Sequence, residues 1–512
     1  MTGGGGHRVL RIVLVVVLIV MAAAVGSVAL YASTSEDGGG TSAAGGTATS
    51  TPSTSASTTP GATPGAAVPA ASSPAAAPTT PSTPLLWQQA PTSAAAVLSP
   101  VTLSTAGDPA AAGLTAVLTP LLADPAFAGD DVAMVVADAA SGQVLFSREA
   151  ATPVAPASTA KLAVAVAALA VLGRDHRFST TVKKGPAAGQ IVLVGGGDPT
   201  LAGPAAVGAR SPGYPTPASL VDLAHATVQQ LRAEGVRAVS VGYDASLFVG
   251  PQVAPGWKPI YQTEGDVAPV SALEVDEGAQ DLTRPGRVAN PASAAAAQFA
   301  ALLRAGGLTV TGAAQPAKAL ATSGTIASVA SPPVSQLVQR MLERSDNDLA
   351  EALARQVAIS TGQQASFAGG VAAVKAAIVG LGVDPSGLAT VDASGLSPLD
   401  RVKPAALLTL LRLAIDPGHP QLAPLLAGLP VAAFSGTLSG RFGGVAHAGA
   451  GLIRAKTGTL DGVIALAGYL QDASGATLVF ATIATDVART ATTVTEAALD
   501  RLTASLPACG CH

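Results

Sequence analysis

The sequence predicts an α+β protein, in which one antiparallel sheet flanked by helices is assembled from both ends of the folded body. A large α/β region is inserted between those ends. Strand-like runs at 132–137 and 143–147 flank a turn at 138–142, the pattern of a hairpin. Far along the chain, 453–459, 463–470 and 477–485 have the same character, and Asp472-Ala473-Ser474-Gly475 supplies the last turn. A middle stretch alternates short strands (191–194, 239–243, 308–311) with helices at 219–234 and 291–305. That alternation marks an α/β unit large enough to stand as an insertion.

From the N-terminus, residues 1–11 include Arg8 and Arg11, and residues 12–32 carry no charge. A run of that length suits a membrane-spanning helix. The basic flank places the rest of the chain outside the cytoplasm. A cleaved signal peptide is the alternative, although its apolar core is usually only about 7–15 residues. Residues 33–107 are rich in Ser, Thr, Pro, Ala and Gly, and no charged residue occurs from 38 to 107. Such a composition cannot bury enough surface to fold, so it reads as a disordered tether. The expected catalytic part comprises 108–176 and 326–508, with 177–325 inserted and 509–512 as a tail. Helix 158–172 is apolar nearly all round and should be buried. Residues 333–430 read as further helices over the sheet, and 489–506 as a last amphipathic one.

Composition removes several function classes. The 512 residues carry a net charge of −4 and only 3% aromatics, so neither a basic field nor a stacking surface exists for nucleic acid. Mean hydropathy is +0.46, yet only 12–32 is long and apolar enough to span a bilayer. Both cysteines, Cys509 and Cys511, lie in the tail, which excludes a disulfide framework for the fold. The six histidines show no recognisable metal-ligand spacing.

Three clusters carry chemistry. In Ser158-Thr159-Ala160-Lys161, residues three apart at a helix start share a face, so the amine of Lys161 can reach the hydroxyl of Ser158. Ser345-Asp346-Asn347 lies between two apolar helices, where a hydroxyl and an amide can both face a cleft. Asn347 is one of only two asparagines in the chain, which favours a use for it. In Lys456-Thr457-Gly458-Thr459, a strand offers a cation and hydroxyls to an anionic group, and Gly458 allows close backbone approach. Taken singly, each cluster also reads as a helix cap, a polar turn or an ordinary strand. Their joint occurrence, in this order and each in its structural context, points to a serine acyl-transfer enzyme.

With these motifs the sequence resembles the penicilloyl-serine transferases. It is most similar to the low-molecular-mass class C penicillin-binding proteins, the D-alanyl-D-alanine carboxypeptidase/endopeptidase family. Gly195-Gly196-Gly197-Asp198-Pro199, Pro255-Gly256-Trp257, Ala268-Pro269-Val270-Ser271-Ala272-Leu273, Asp392-Ala393-Ser394-Gly395-Leu396-Ser397 and Ser435-Gly436-Thr437-Leu438 extend the likeness from about 114 to 506. Ala393 stands where the family usually has glycine. The long interval from Ser158 to Ser345 suits that family, which carries an inserted domain there.

The resemblance implies a β-lactamase/transpeptidase-like fold and a serine D-Ala-D-Ala carboxypeptidase, with DD-endopeptidase action as an added capacity. Peptidoglycan stem peptides would be substrates, and β-lactam antibiotics covalent inhibitors. It implies Ser158 as nucleophile, Lys161 as base, Ser345 as proton relay and Asn347 as the group holding both the substrate amide and Lys161. The implied mechanism requires no cofactor. Lys456, Thr457, Gly458 and Thr459 would form the carboxylate-binding strand, with an oxyanion hole of the Ser158 and Thr459 N–H groups. Burial and the nearby Lys456 charge are expected to depress the Lys161 pKa. Asp266, with Glu264, is a candidate for binding a cationic stem side chain. A β-lactamase is the alternative enzyme, but no asparagine follows Asn347 to complete a class A water-activating pair. A cell-wall-binding scaffold on the same fold is the non-enzymatic alternative, and would be expected to lose Ser158, Lys161 or Lys456.

Overall fold

Helix α1 (Ala111–Leu122) leads into strands β1 (Asp131–Asp138) and β2 (Val144–Arg148), the expected hairpin. Its turn is tied by Asp138, whose Oδ1 accepts from both Ser141 N and Ser141 Oγ at 2.7 Å. Residues 132–137 are all buried, so β1 is covered on both faces. This computed structural model describes residues 111–208, 215–320 and 322–508. The expected span at 12–32, the tether at 33–107 and the tail at 509–512 lie outside the described residues. No helix among the described residues is long and apolar enough to cross a membrane.

A turn at Ala157–Ala160 precedes α2 (Lys161–Val171). Then follow β3 (Ser179–Lys184), β4 (Gln190–Val194), α3 (Leu220–Ala233), β5 (Ala238–Asp244), α4 (Pro291–Ala305), β6 (Thr309–Pro316) and β7 (Thr325–Ala330). Helices α5 (Val334–Arg344), α6 (Asn347–Ser360), α7 (Phe367–Gly380) and α8 (Pro404–Ile415) come next. The chain closes with β8 (Arg454–Leu460), β9 (Val463–Gln471), β10 (Thr477–Thr485) and α9 (Thr492–Ala504).

The first sheet has the order β8-β9-β10-β1-β2 and is antiparallel throughout. Asp131 pairs with Thr485 and Asp138 with Leu478, so the early hairpin is stitched to the late strands as the sequence predicts. Alternation sends Val132, Met134 and Val136 into a core shared with α1 and α9. Val135 and Ala137 enter the opposite core, shared with α2, α5, α6, α7 and α8. Helix α2 runs inside that second core, with residues 161–169 all buried, which is why its sequence shows no polar face.

The second sheet has the order β6-β5-β4-β3-β7. Its β4–β5 and β5–β6 pairs are parallel, and the two pairs made by β3 are antiparallel. Leu223 and Leu231 of α3 and Phe299 and Leu303 of α4 cover it. Strands β3 and β7 have no counterpart in the sequence reading. Only one or two residues of each are buried, so neither shows a strong apolar alternation.

Candidate active site

Ser158 sits in the short 3-10 turn Ala157–Ala160, and Lys161 opens α2 immediately after it. The expected single helix 158–172 is thus a tight turn followed by a helix. Ala157, just before the serine, has a φ of +47°, a left-handed conformation that costs energy for a residue with a Cβ. Two glycines make room for this turn. A Cβ on Gly395 (φ +80°) would lie 1.9 Å from the Ala157 carbonyl oxygen, and one on Gly458 would lie 2.9 Å from that of Pro156. Gly458 therefore first admits the serine-bearing turn against β8. The sequence reading gave it the approach of a ligand instead.

Lys161 is fully buried, and its amine meets three oxygens. Nζ donates to Asn347 Oδ1 and to the Ser394 carbonyl, both at 2.6 Å, and lies 3.0 Å from Ser158 Oγ. A neutral amine has two N–H bonds and one lone pair. With both N–H groups taken by carbonyl acceptors, the lone pair is left facing the serine hydroxyl. Burial pulls the Lys161 pKa down to about 8, against the opposing charges of Asp392, Asp346, Glu351 and Asp348. The expectation of a matching push from Lys456 needs correction, because burial is what depresses this lysine. The repulsion shows on Lys456, which is held well below the usual lysine range by burial and then by Lys161.

Ser345 ends α5 in a left-handed conformation, and Asp346 caps α6 by accepting from Leu349 N at 2.9 Å. Two helix ends thus aim Ser345 and Asn347 into one space. Lys456 Nζ donates to Ser345 Oγ at 2.9 Å and to the Thr457 carbonyl at 2.8 Å. Asn347 Nδ2 donates to the Asp266 carbonyl at 2.8 Å, so the structure brings Asp266 to the site through its backbone. Its carboxyl is raised above the ordinary range by partial burial and then by Glu264.

Strand β8 is an edge of its sheet, bridged on its outer side only at its start, where Val431 pairs with Arg454 and Ala455 N donates to the Pro430 carbonyl. Thr457 Oγ1 shares a hydrogen bond of 2.7 Å with Thr437 Oγ1, and Thr459 Oγ1 donates to Glu496 Oε1 at 3.3 Å. Ser158, Ser345, Asn347, Thr457, Thr459 and Asp266 all line one cleft of about 930 Å³. Lys161 and Lys456 lie directly beneath it.

The sequence reading named the segment 392–397 for its family likeness but assigned no role to the Ser394 carbonyl that it carries. Asp392 accepts from Gly395 N and Ser397 N at 2.8 Å and from Trp257 Nε1 at 2.7 Å. Glu351 Oε1 accepts from Ala393 N and Ser394 N at 2.9 Å, while its Oε2 pairs with Arg355 at 3.0 Å. These bonds fix the loop under Lys161. Ala393 has no left-handed φ, so its methyl is accommodated; Gly395 is the position that needs glycine.

Comparison with known proteins agrees with this geometry. The profile of the D-Ala-D-Ala carboxypeptidase 3 (S13) family matches residues 114–285 and 279–506. The chain belongs to that family. It is 38% identical over 399 residues to carboxypeptidase DacB of Mycolicibacterium smegmatis, covering 75% of this chain and 83% of that protein. It is 30% identical over 435 residues to the D-alanyl-D-alanine carboxypeptidase of Actinomadura sp. strain R39, covering 68% and 77%. Among solved structures, penicillin binding protein 4 of Haemophilus influenzae shares the fold. Its TM-score is 0.62 at 22% identity, with 76% of this chain and 99% of that one covered. Membership of this S13 family carries serine carboxypeptidase chemistry.

Proposed function

We propose that the protein removes the terminal D-Ala from D-Ala-D-Ala stem peptides of peptidoglycan through an acyl-enzyme on Ser158. The observation that carries this reading is the buried amine of Lys161, 3.0 Å from Ser158 Oγ and bonded to two carbonyl oxygens, so that in its neutral form the lone pair is the part left for the serine. Neutral Lys161 takes the hydroxyl proton as Ser158 attacks the carbonyl between the two D-Ala residues. The N–H groups of Ser158 and Thr459 hold the developing oxyanion. Ser345, bonded to Lys456, relays the hydroxyl proton from Lys161 to the leaving amine as the C–N bond breaks, which returns Lys161 to its neutral form. Lys456, Thr457 and Thr459, with Gly458 between them, bind the terminal carboxylate, and Asn347 holds the substrate amide. Water then cleaves the ester and restores Ser158.

By the same route a cross-linked peptide would be cleaved as an endopeptidase substrate, and a β-lactam would acylate Ser158. Asp266, beside Glu264, faces the cleft from the inserted region 177–325 and would bind a cationic side chain of the stem. If Asp266→Asn leaves discrimination between aminated and unaminated stems unchanged, that role is wrong. Residues 108–176 and 326–508 form the catalytic part in this reading. The charge-free run 12–32 anchors it to the membrane, with the body outside the cytoplasm at the end of the 33–107 tether.

Fluorescent penicillin and a D-Ala-D-Ala peptide test the proposal together. Labelling and D-Ala release are both expected, and both should vanish in Ser158→Ala. Failure of the folded wild-type protein to label contradicts the mechanism.

A further inference from the structure

Six cationic side chains line the cleft, and five of them have a carboxylate partner, although Lys258 and Arg489 share one, Asp461. Arg287 lies against Glu277 and Asp348, and Arg340 against Glu277 and Asp346. Arg441 binds Asp500 at 2.8 Å and Glu496 at 3.4 Å. The sixth, Arg344, is exposed in the cleft and has no carboxylate partner among the described residues. A cation in the last turn of a helix offsets the helix dipole, which accounts for a charge at this end of α5. It does not account for an exposed arginine that lines the cleft without a carboxylate partner among the described residues.

The position of Arg344 says what it would meet. It directly precedes Ser345, whose Oγ takes the bond from Lys456 Nζ. Behind it, the Glu343 carbonyl backs onto the turn at 435–438, where a Cβ on Gly436 would come within 2.4 Å. That turn carries Thr437, which is bonded to Thr457. Arg344 therefore belongs to the wall holding Ser345, Thr437 and Thr457, the side of the leaving residue. Asp266 and Glu264 stand with the inserted region instead, and the Asp266 backbone is tied to Asn347.

We propose that Arg344 is an anion subsite on the leaving-group side, taking a second carboxylate carried by the residue or peptide beyond the scissile bond. This deepens the carboxypeptidase reading and rests on it. Substrates of this class are peptides whose leaving D-residue bears an acidic side chain or continues into an acidic strand, as in a cross-linked stem. The α-carboxylate occupies the Thr457 site, and the additional carboxylate meets the guanidinium.

Two peptides ending in D-Ala-D-Glu and D-Ala-D-Gln decide the matter, because their leaving residues are isosteric and differ in charge. The full-length wild-type protein should prefer D-Glu by roughly fivefold in kcat/KM, the size of a partly solvated ion pair. That preference should shrink with added salt. It should fall to about one in Arg344→Gln and invert in Arg344→Glu, and each ratio is internal to one protein preparation. Equal rates for the two peptides in wild type, or a preference that survives in Arg344→Gln, overturn the subsite while leaving the carboxypeptidase reading intact. Release of D-Ala from a matched D-Ala-D-Ala peptide with neither D-Glu nor D-Gln released overturns the subsite alone, whereas failure of that D-Ala-D-Ala peptide as well overturns the carboxypeptidase reading and the subsite with it.

Discussion

The two five-stranded sheets contribute to the cleft in different currencies. The first sheet and its helices supply reactive side chains: Ser158, Lys161, Ser345, Asn347 and Lys456. The inserted region with the second sheet supplies mainly positions. It gives the Asp266 carbonyl to Asn347, the Trp257 N–H to Asp392 and the Pro255 carbonyl to Ser397 Oγ at 2.7 Å. Chemistry is thus concentrated in one part, while the other holds the amide and the loop that hold the lysine. Losses in the first part should be near-total, and losses in the second graded.

Lys161→Ala should produce the largest loss in kcat/KM for D-Ala release, at least about 10⁴-fold, because it removes the amine bonded to Ser158 Oγ that takes its proton. A loss of only tenfold would move the base elsewhere. Asp392→Asn comes next, since it weakens the loop that presents the Ser394 carbonyl and also removes a charge that favours protonated Lys161. Without that charge the Lys161 pKa falls further below about 8, so the acidic limb of the rate profile should shift to lower pH. A purely structural loss would lower the rate and leave the limb in place.

Trp257→Phe tests the inserted region alone. It keeps the ring against Phe367, where the centroids are 5.4 Å apart, and deletes the N–H bonded to Asp392. A loss of roughly threefold to tenfold in kcat/KM is expected. A loss as large as that of Lys161→Ala would erase the distinction between the two parts.

The smallest effect concerns stability. Asp400 is raised from its ordinary 3.8 to about 9 by burial and then by Asp392, so it is a neutral acid at neutral pH. A carboxyl whose folded pKa is raised lends stability fully present below its unfolded pKa and lost as pH rises through the folded one. Asp400→Asn fixes a neutral group there and can still accept from Val391 N, a bond of 2.7 Å in the native protein. Its Tm should therefore gain on wild type as pH rises toward about 9, as calorimetry at several pH values would show.

Legibility in the sequence follows the same division. Ser158, Lys161, Ser345, Asn347 and Lys456 were readable because their chemistry resides in side chains at short, regular spacings. The hairpin at 131–148 and the strands at 454–485 were readable because apolar runs there end in turn residues. The Ser394 and Asp266 carbonyls were invisible, since every residue has a carbonyl and only the fold selects which one is aimed. Strands β3 and β7 escaped because Thr180 and Ala327 occupy buried positions that a large apolar residue would have marked. The availability of Arg344 could not be read either, because it depends on where every carboxylate of the cleft wall is spent.

The central claim is that a buried, neutral Lys161 activates Ser158. Timed acylation of the full-length chain by benzylpenicillin across a pH series, followed by peptide mapping, tests it most directly. The adduct should map to Ser158, and the rate should climb through a pKa near 8. An adduct on any other residue, or a rate unchanged across that range, would contradict it.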